Sequence, residues 1–66
     1  MKERIRLLLA DDHPMVLVGL TTLLEMEESL KVVATAESGD EAVERFREHR
    51  PDVALLGLRM PGLDGV

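Results

Sequence analysis

A chain of 66 residues is one small domain or a part of one, because domains usually span about 100–200 residues. With 8 Lys and Arg against 13 Asp and Glu, net charge −5, and Phe46 as the single aromatic, it has neither the basic footprint nor the stacking platform that nucleic-acid binding requires. The absence of cysteine excludes a disulfide framework and a thiolate zinc site, and the balance of 45% hydrophobic to 32% charged residues is that of a globular chain.

The first element is Ile5-Arg6-Leu7-Leu8-Leu9-Ala10, expected as a strand over about 5–10. Its nearly unbroken apolar run suits a strand buried on both faces, the habit of parallel sheets. Asp11 and Asp12 end that run. It is shorter than the about 7–15 apolar residues of a signal-peptide core and the about 20 of a membrane helix. A cytoplasmic chain with no membrane partner is therefore expected. Pro14 fits the first position of a helix, where its missing N–H costs nothing. That helix is expected over about 14–27, with Val16, Leu20, Leu23 and Leu24 tracing its apolar stripe and Leu17 and Val18 adding apolar surface beyond it.

Leu30-Lys31-Val32-Val33-Ala34-Thr35-Ala36 reads as a second strand, about 30–36, rich in β-branched residues. Ser38 or Asp40 is placed to cap a helix over about 40–50, with Ala42, Val43 and Phe46 inward. Acids come early in it (Glu41, Glu44) and arginines late (Arg45, Arg47, Arg50), which complements the helix dipole. His49 reads as a further dipole partner. Pro51 and Asp52 stop this helix, and Val53-Ala54-Leu55-Leu56-Gly57-Leu58 reads as a third buried strand, about 53–58. A loop rich in Pro and Gly follows. Strands alternating with helices imply an α/β fold with parallel pairing through right-handed crossovers.

Ligands of open α/β sheets bind at the carboxyl ends of the strands. Asp11 and Asp12 stand at the first such end. Adjacent carboxylates repel, so a bound cation is one compensator, and Mg²⁺ needs only one or two protein carboxylates because it keeps several waters. The alternative is that one of the two acids simply caps the helix at Pro14. His13 beside them lacks further ligands of the kind a transition-metal site needs and reads as a first-turn helix residue. Gly57 through Gly62 has the glycine offset of a P-loop, but Leu63-Asp64 stands where Lys and Ser/Thr belong, so no phosphate cradle is read there. Gly57 itself, inside an apolar strand, calls for a bulge or the close approach of another group.

Leu7-Leu8-Leu9-Ala10-Asp11-Asp12-His13-Pro14, Gly19-Leu20, Pro51-Asp52-Val53 and Leu58-Arg59-Met60-Pro61-Gly62-Leu63-Asp64-Gly65 together resemble a bacterial response-regulator receiver domain of the LuxR/NarL class. The resemblance runs from about Ile5 to Val66. It implies a flavodoxin-like half-fold, β1-α1-β2-α2-β3, taken from the doubly wound order 2-1-3-4-5. The whole chain, 1–66, is then a partial receiver that stops before the fourth strand, about halfway through a domain of roughly 120 residues. The resemblance also implies phosphoryl transfer from a histidine kinase to an aspartate at the end of the third strand, and a DNA-binding domain elsewhere in the parent protein. Asp11 and Asp12 match the acids that hold Mg²⁺, and Arg59 matches the residue whose main-chain carbonyl joins the ion. The acceptor position is Gly57, which has no oxygen to offer, so no catalytic residue is assigned and Mg²⁺ binding is expected to be weak or lost.

Two functions follow as expectations. One is a two-component signalling module that cannot be phosphorylated. The other is a self-associating module, because the third strand presents an open edge. A phosphatase or nuclease built on Asp11 and Asp12 lacks a third acid or a phosphate clamp at a strand end, so the chain is not expected to be an enzyme.

Overall fold

A computed structural model describes residues 4–57. Five elements follow in order: β1 (Ile5–Asp11), α1 (Pro14–Leu24), β2 (Leu30–Ala36), α2 (Gly39–His49) and β3 (Val53–Gly57). The strands form one parallel sheet in the order β2-β1-β3, the α/β architecture the sequence implies. β1 takes the centre because its apolar side chains point both ways. Leu7, Leu8, Leu9 and Ala10 are all buried. Leu8 lines a cavity with Ala42, Val43 and Phe46 of α2, whereas its neighbour Leu9 lines one with Leu20 of α1. Successive strand residues face opposite ways, so the helices cover opposite faces of the sheet.

The register of β1 with β3 is unbroken, from Leu7 opposite Val53 to Asp11 opposite Gly57. Between β1 and β2 it slips by one residue, with Leu7 opposite Val32 and Leu8 opposite Ala34. Three alanines, Ala10, Ala36 and Ala42, close the core where α2 crosses the sheet. Small side chains let the helix lie close to the strands there.

Local chemistry sets the helix ends. Ser38 is the N-cap of α2, and its Oγ accepts the Glu41 N–H at 3.1 Å. Glu41 Oε1 in turn accepts the Glu37 N–H at 2.7 Å, a variant of the reciprocal capping box. At the other end Arg50 adopts the left-handed conformation (φ 48°) and its N–H donates to the Phe46 carbonyl. The Arg6 guanidinium donates to the His49 and Arg50 carbonyls at 2.6 and 2.9 Å. A strand residue therefore places positive charge on the helix terminus, where the dipole favours it. His49 stands in the last turn, where the sequence places it as a dipole partner, and its carbonyl also accepts from Arg6.

Several expectations are corrected. α1 ends at Leu24, three residues short of the expected end, as Glu25, Met26 and Glu27 turn on hydrogen bonds to Thr21, Leu23 and Leu24. The expected stripe holds in part, since Leu24 is half-buried and Leu20 lines a cavity with Leu9. Leu17 is buried at 5% exposure, while Val16, Leu20 and Leu23 are exposed. The inward stripe is Leu17 with the half-buried Thr21 and Leu24, a spacing of four and then three residues. β3 is not buried. Val53, Leu55 and Leu56 are each more than two-fifths exposed, because among the described residues β3 pairs on one side only. Val43 and Phe46 lean over the same side of the sheet and are exposed for the same reason. Leu58 and the loop 59–66 lie outside the described residues. Among the described residues, no helix is long and apolar enough to cross a membrane.

Candidate functional site

The carboxyl ends of β1 and β3 lie side by side, with Asp11 register-paired to Gly57. β1 ends where its apolar run does, so Asp11 is the last strand residue, Asp12 the first of the loop, and Pro14 starts α1. No side chain caps that helix; its N-cap residue is His13. The His13 carbonyl accepts the N–H groups of Val16 and Leu17. The capping alternative for Asp11 and Asp12 is thereby excluded, as is a place for His13 within the helix.

Asp11 instead folds back on the loop. Its Oδ1 accepts the His13 backbone N–H at 2.9 Å and lies 3.0 Å from His13 Nδ1. Asp12 Oδ1 lies 2.9 Å from the same nitrogen. An imidazole Nδ1 between two carboxylate oxygens carries its proton, shared between them. The Asp11 carboxyl is held below its ordinary range, first by the His13 backbone N–H and then by the imidazole. His13 is raised above its ordinary range, first by the hydrogen bond to Asp11 and then by the charge of Asp12. The Asp11 side chain is the more sheltered of the two acids, at 14% exposure against 43% for Asp12.

The other Asp11 oxygen lies against Gly57. A Cβ built on Gly57 would stand 2.7 Å from Asp11 Oδ2, too near for any real carbon. The glycine admits the carboxylate of the neighbouring strand, which is the close approach the sequence called for. Beside it lies an open cavity of about 330 Å³ lined by Leu9, Asp11, Leu20, Leu55 and Gly57.

Ligand atoms of Asp11, Asp12 and His13 all lie within 4.8 Å of one another. The donor set suits a hard divalent cation in kind, since two carboxylates and surrounding water are what Mg²⁺ accepts. The imidazole competes for it, because one oxygen of each acid already faces His13. Arg59, the third residue expected at the ion, lies outside the described residues. The sequence placed Asp11 and Asp12 at the end of β1, and the family resemblance set Gly57 beside them at the end of β3. It missed His13 as their shared partner, for which adjacency in Asp-Asp-His-Pro was the available signal.

A doubly wound sheet with an acid pair at the carboxyl end of its central strand is a class of α/β protein that binds its ligand outside the strand ends. Within that class the relationship is specific. Residues 7–66 match the response regulator receiver domain model. The chain is 44% identical over 63 residues to the transcriptional regulatory protein NarL of Mycobacterium tuberculosis, covering 96% of this chain and 29% of that protein. It is 44% identical over 62 residues to the response regulator GacA of Pseudomonas viridiflava, covering 94% and 29%. The solved signal receiver domain of the Mycobacterium tuberculosis NarL superposes with a TM-score of 0.84 at 44% identity, over 96% of this chain and 51% of that one. The chain belongs to the response regulator receiver domain family of two-component systems and is related to NarL-class regulators. It spans less than a third of the length of these curated relatives and about half of the solved receiver.

Proposed function

We propose that this chain is a cytoplasmic, receiver-derived signalling module that takes no phosphoryl group at the end of β3. One observation carries the reading: the residue register-paired with Asp11 at that strand end is Gly57. In the parent family a carboxylate oxygen there attacks phosphorus as the bond to the kinase histidine breaks, and glycine has no such oxygen. Asp11 and Asp12 would hold Mg²⁺, with Arg59 contributing its carbonyl, and the ion would neutralise phosphoryl oxygens. With two mutually repelling carboxylates and an imidazole already between them, that binding is weak. No enzymatic activity is assigned, because among the described residues the acid pair has no phosphate clamp beside it. The histidine kinase and the DNA-binding domain belong to the parent family's signalling and are not assigned to this segment, nor is direct nucleic-acid binding. Incubation with acetyl phosphate and Mg²⁺, followed by intact-mass analysis, is expected to leave the mass unchanged. A stable phosphoryl group on Asp11 or Asp12 would overturn the reading.

A second reading, self-association into a dimer or larger assembly, is favoured by the apolar surface. Exposed Val53, Leu55 and Leu56 lie on a strand paired on one side only among the described residues, and such edges invite pairing. Light scattering after size exclusion checks it: a discrete species near twice 7.3 kDa supports the reading, and a monomer at all concentrations removes it.

A further inference from the structure

We propose that two copies of this chain join their sheets edge to edge, with β3 antiparallel to β3 of the second copy about a two-fold axis at Leu55. The inference rests on the self-association reading and gives that reading its register. The backbone decides which groups are free. The Ile5 N–H donates to the Ser29 carbonyl on the β2 side, and the Arg6 carbonyl accepts the Asp52 N–H on the β3 side. Alternate residues of a strand address opposite neighbours, so Leu8 and Ala10 also aim their N–H and C=O groups at β3. Leu8 stands opposite Ala54 and Ala10 opposite Leu56, and the slanted bonds of a parallel pair run to the residues flanking each opposite number. Those are Val53, Leu55 and Gly57. The N–H and C=O groups of Ala54 and Leu56 therefore face outward, where β3 has no neighbour among the described residues.

The other edge of the sheet is guarded. In β2, Val33 is an extra residue between the Leu7–Val32 and Leu8–Ala34 pairs. The Val32 N–H is taken by Glu25 Oε2 at 3.2 Å, and Lys31 is exposed. A bulge, an occupied donor and an edge charge all discourage strand addition. β3 carries no charged residue from Val53 to Gly57 and pairs with β1 in unbroken register.

Self-complementarity selects a second copy as the occupant. A two-fold axis normal to the sheet at Leu55 sets Ala54 and Leu56 opposite Leu56 and Ala54 of the second copy. Both are hydrogen-bonded pairs, and together they use every outward N–H and C=O of the strand. On the other face Leu55 meets Leu55 of the second copy and Val53 meets its Gly57. Larger side chains thus lie against smaller ones on both sides of the axis. The exposed Val43, Phe46, Val53, Leu55 and Leu56 offer on the order of 400 Å² of apolar surface per copy, against about 800 Å² from one partner in a standard interface. The dimer is accordingly reversible, and at net charge −5 salt strengthens it.

The chain has no cysteine, so single cysteines report the register. Leu55 and Val53 are matched in exposure, at 44% and 43%. Across the axis the two Leu55 Cα atoms lie about 4.5 Å apart, inside disulfide range, whereas the two Val53 Cα atoms lie about 14 Å apart. Under mild oxidation Leu55→Cys should form a covalent dimer at least tenfold faster than Val53→Cys. In the parent chain, with no substitution, hydrogen exchange at the Ala54 and Leu56 amides should slow as concentration rises into the dimer range set by sedimentation equilibrium. A parent dimer whose two cysteine variants cross-link equally, or whose Ala54 and Leu56 exchange is independent of concentration, overturns this inference and leaves self-association to another surface. A parent chain that is monomeric throughout overturns both.

Discussion

Gly57→Asp is the substitution that most directly probes the strand-end site. The new Cβ would stand 2.7 Å from Asp11 Oδ2, against the 3.0 Å below which something must shift. The Asp11 carboxylate must therefore move by at least 0.3 Å. Turning about its last torsion is cheap, since that torsion is broad, but the same turn displaces Oδ1 from the His13 N–H and imidazole. The substitution also adds a third carboxylate. At about 4 Å in water-like dielectric, two unit charges interact by about 1 kcal/mol, so a divalent ion gains about 2 kcal/mol from it, roughly thirtyfold in affinity before screening by salt. Isothermal titration with MgCl₂ at low ionic strength should show at least tenfold tighter binding than the parent chain, and amide resonances at residues 11–13 should move on the same isotherm. Equal Mg²⁺ affinity in the two proteins would refute the claim that Asp11, Asp12 and position 57 share one ion site.

Four further outcomes follow from the structure. His13 should titrate above an ordinary imidazole by NMR, and Asp12→Asn should bring it down, because the Asp12 charge is one of the causes that raise it. The stability this cluster adds is present below the ordinary imidazole pKa and fades as pH rises through the raised His13 value. The depressed Asp11 value keeps it present above the ordinary carboxylate range, and it is lost as pH falls through that lowered value. Denaturant midpoints should accordingly be highest between those two ranges and fall on either side. Ser38→Ala removes the oxygen that receives the Glu41 N–H and should cost about 1 kcal/mol in chemical denaturation, whereas Asp40→Ala should cost less. Leu9→Ala, at a side chain 1% exposed, should cost about 2–5 kcal/mol, enough to abolish cooperative unfolding in a chain whose core is this small.

The order and type of the elements were legible because each strand of a parallel sheet must be apolar in both directions, and Leu7 to Ala10 are. The open edge of β3 was expected from the family resemblance and not from its own residues. Val53 to Leu56 are as apolar as β1, and what differs is the number of neighbours, a property of the sheet and not of the segment. The end of α1 was misplaced for a related reason. Glu25 and Glu27 are good helix formers, but Glu25 leaves the helix pattern and its Oε2 accepts the Val32 N–H of the incoming β2 at 3.2 Å, a contact that no local propensity encodes.

At the site, position and chemistry separated. The residues themselves placed Asp11 and Asp12 at a strand end, whereas Gly57 read as an interior strand residue and only the family resemblance set it at the end of β3. The fold-back of Asp11 onto His13 was hidden, since an Asp-Asp-His-Pro run serves equally as a cap, a metal site or a turn. The buried face of α1 was hidden more thoroughly. Eleven consecutive residues without charge leave a helix no rotational phase to read, so Leu17 and Leu23 look equivalent until the sheet is present. The same uniformity that conceals which side packs inward leaves the outward side apolar, with Gly19 open at its centre.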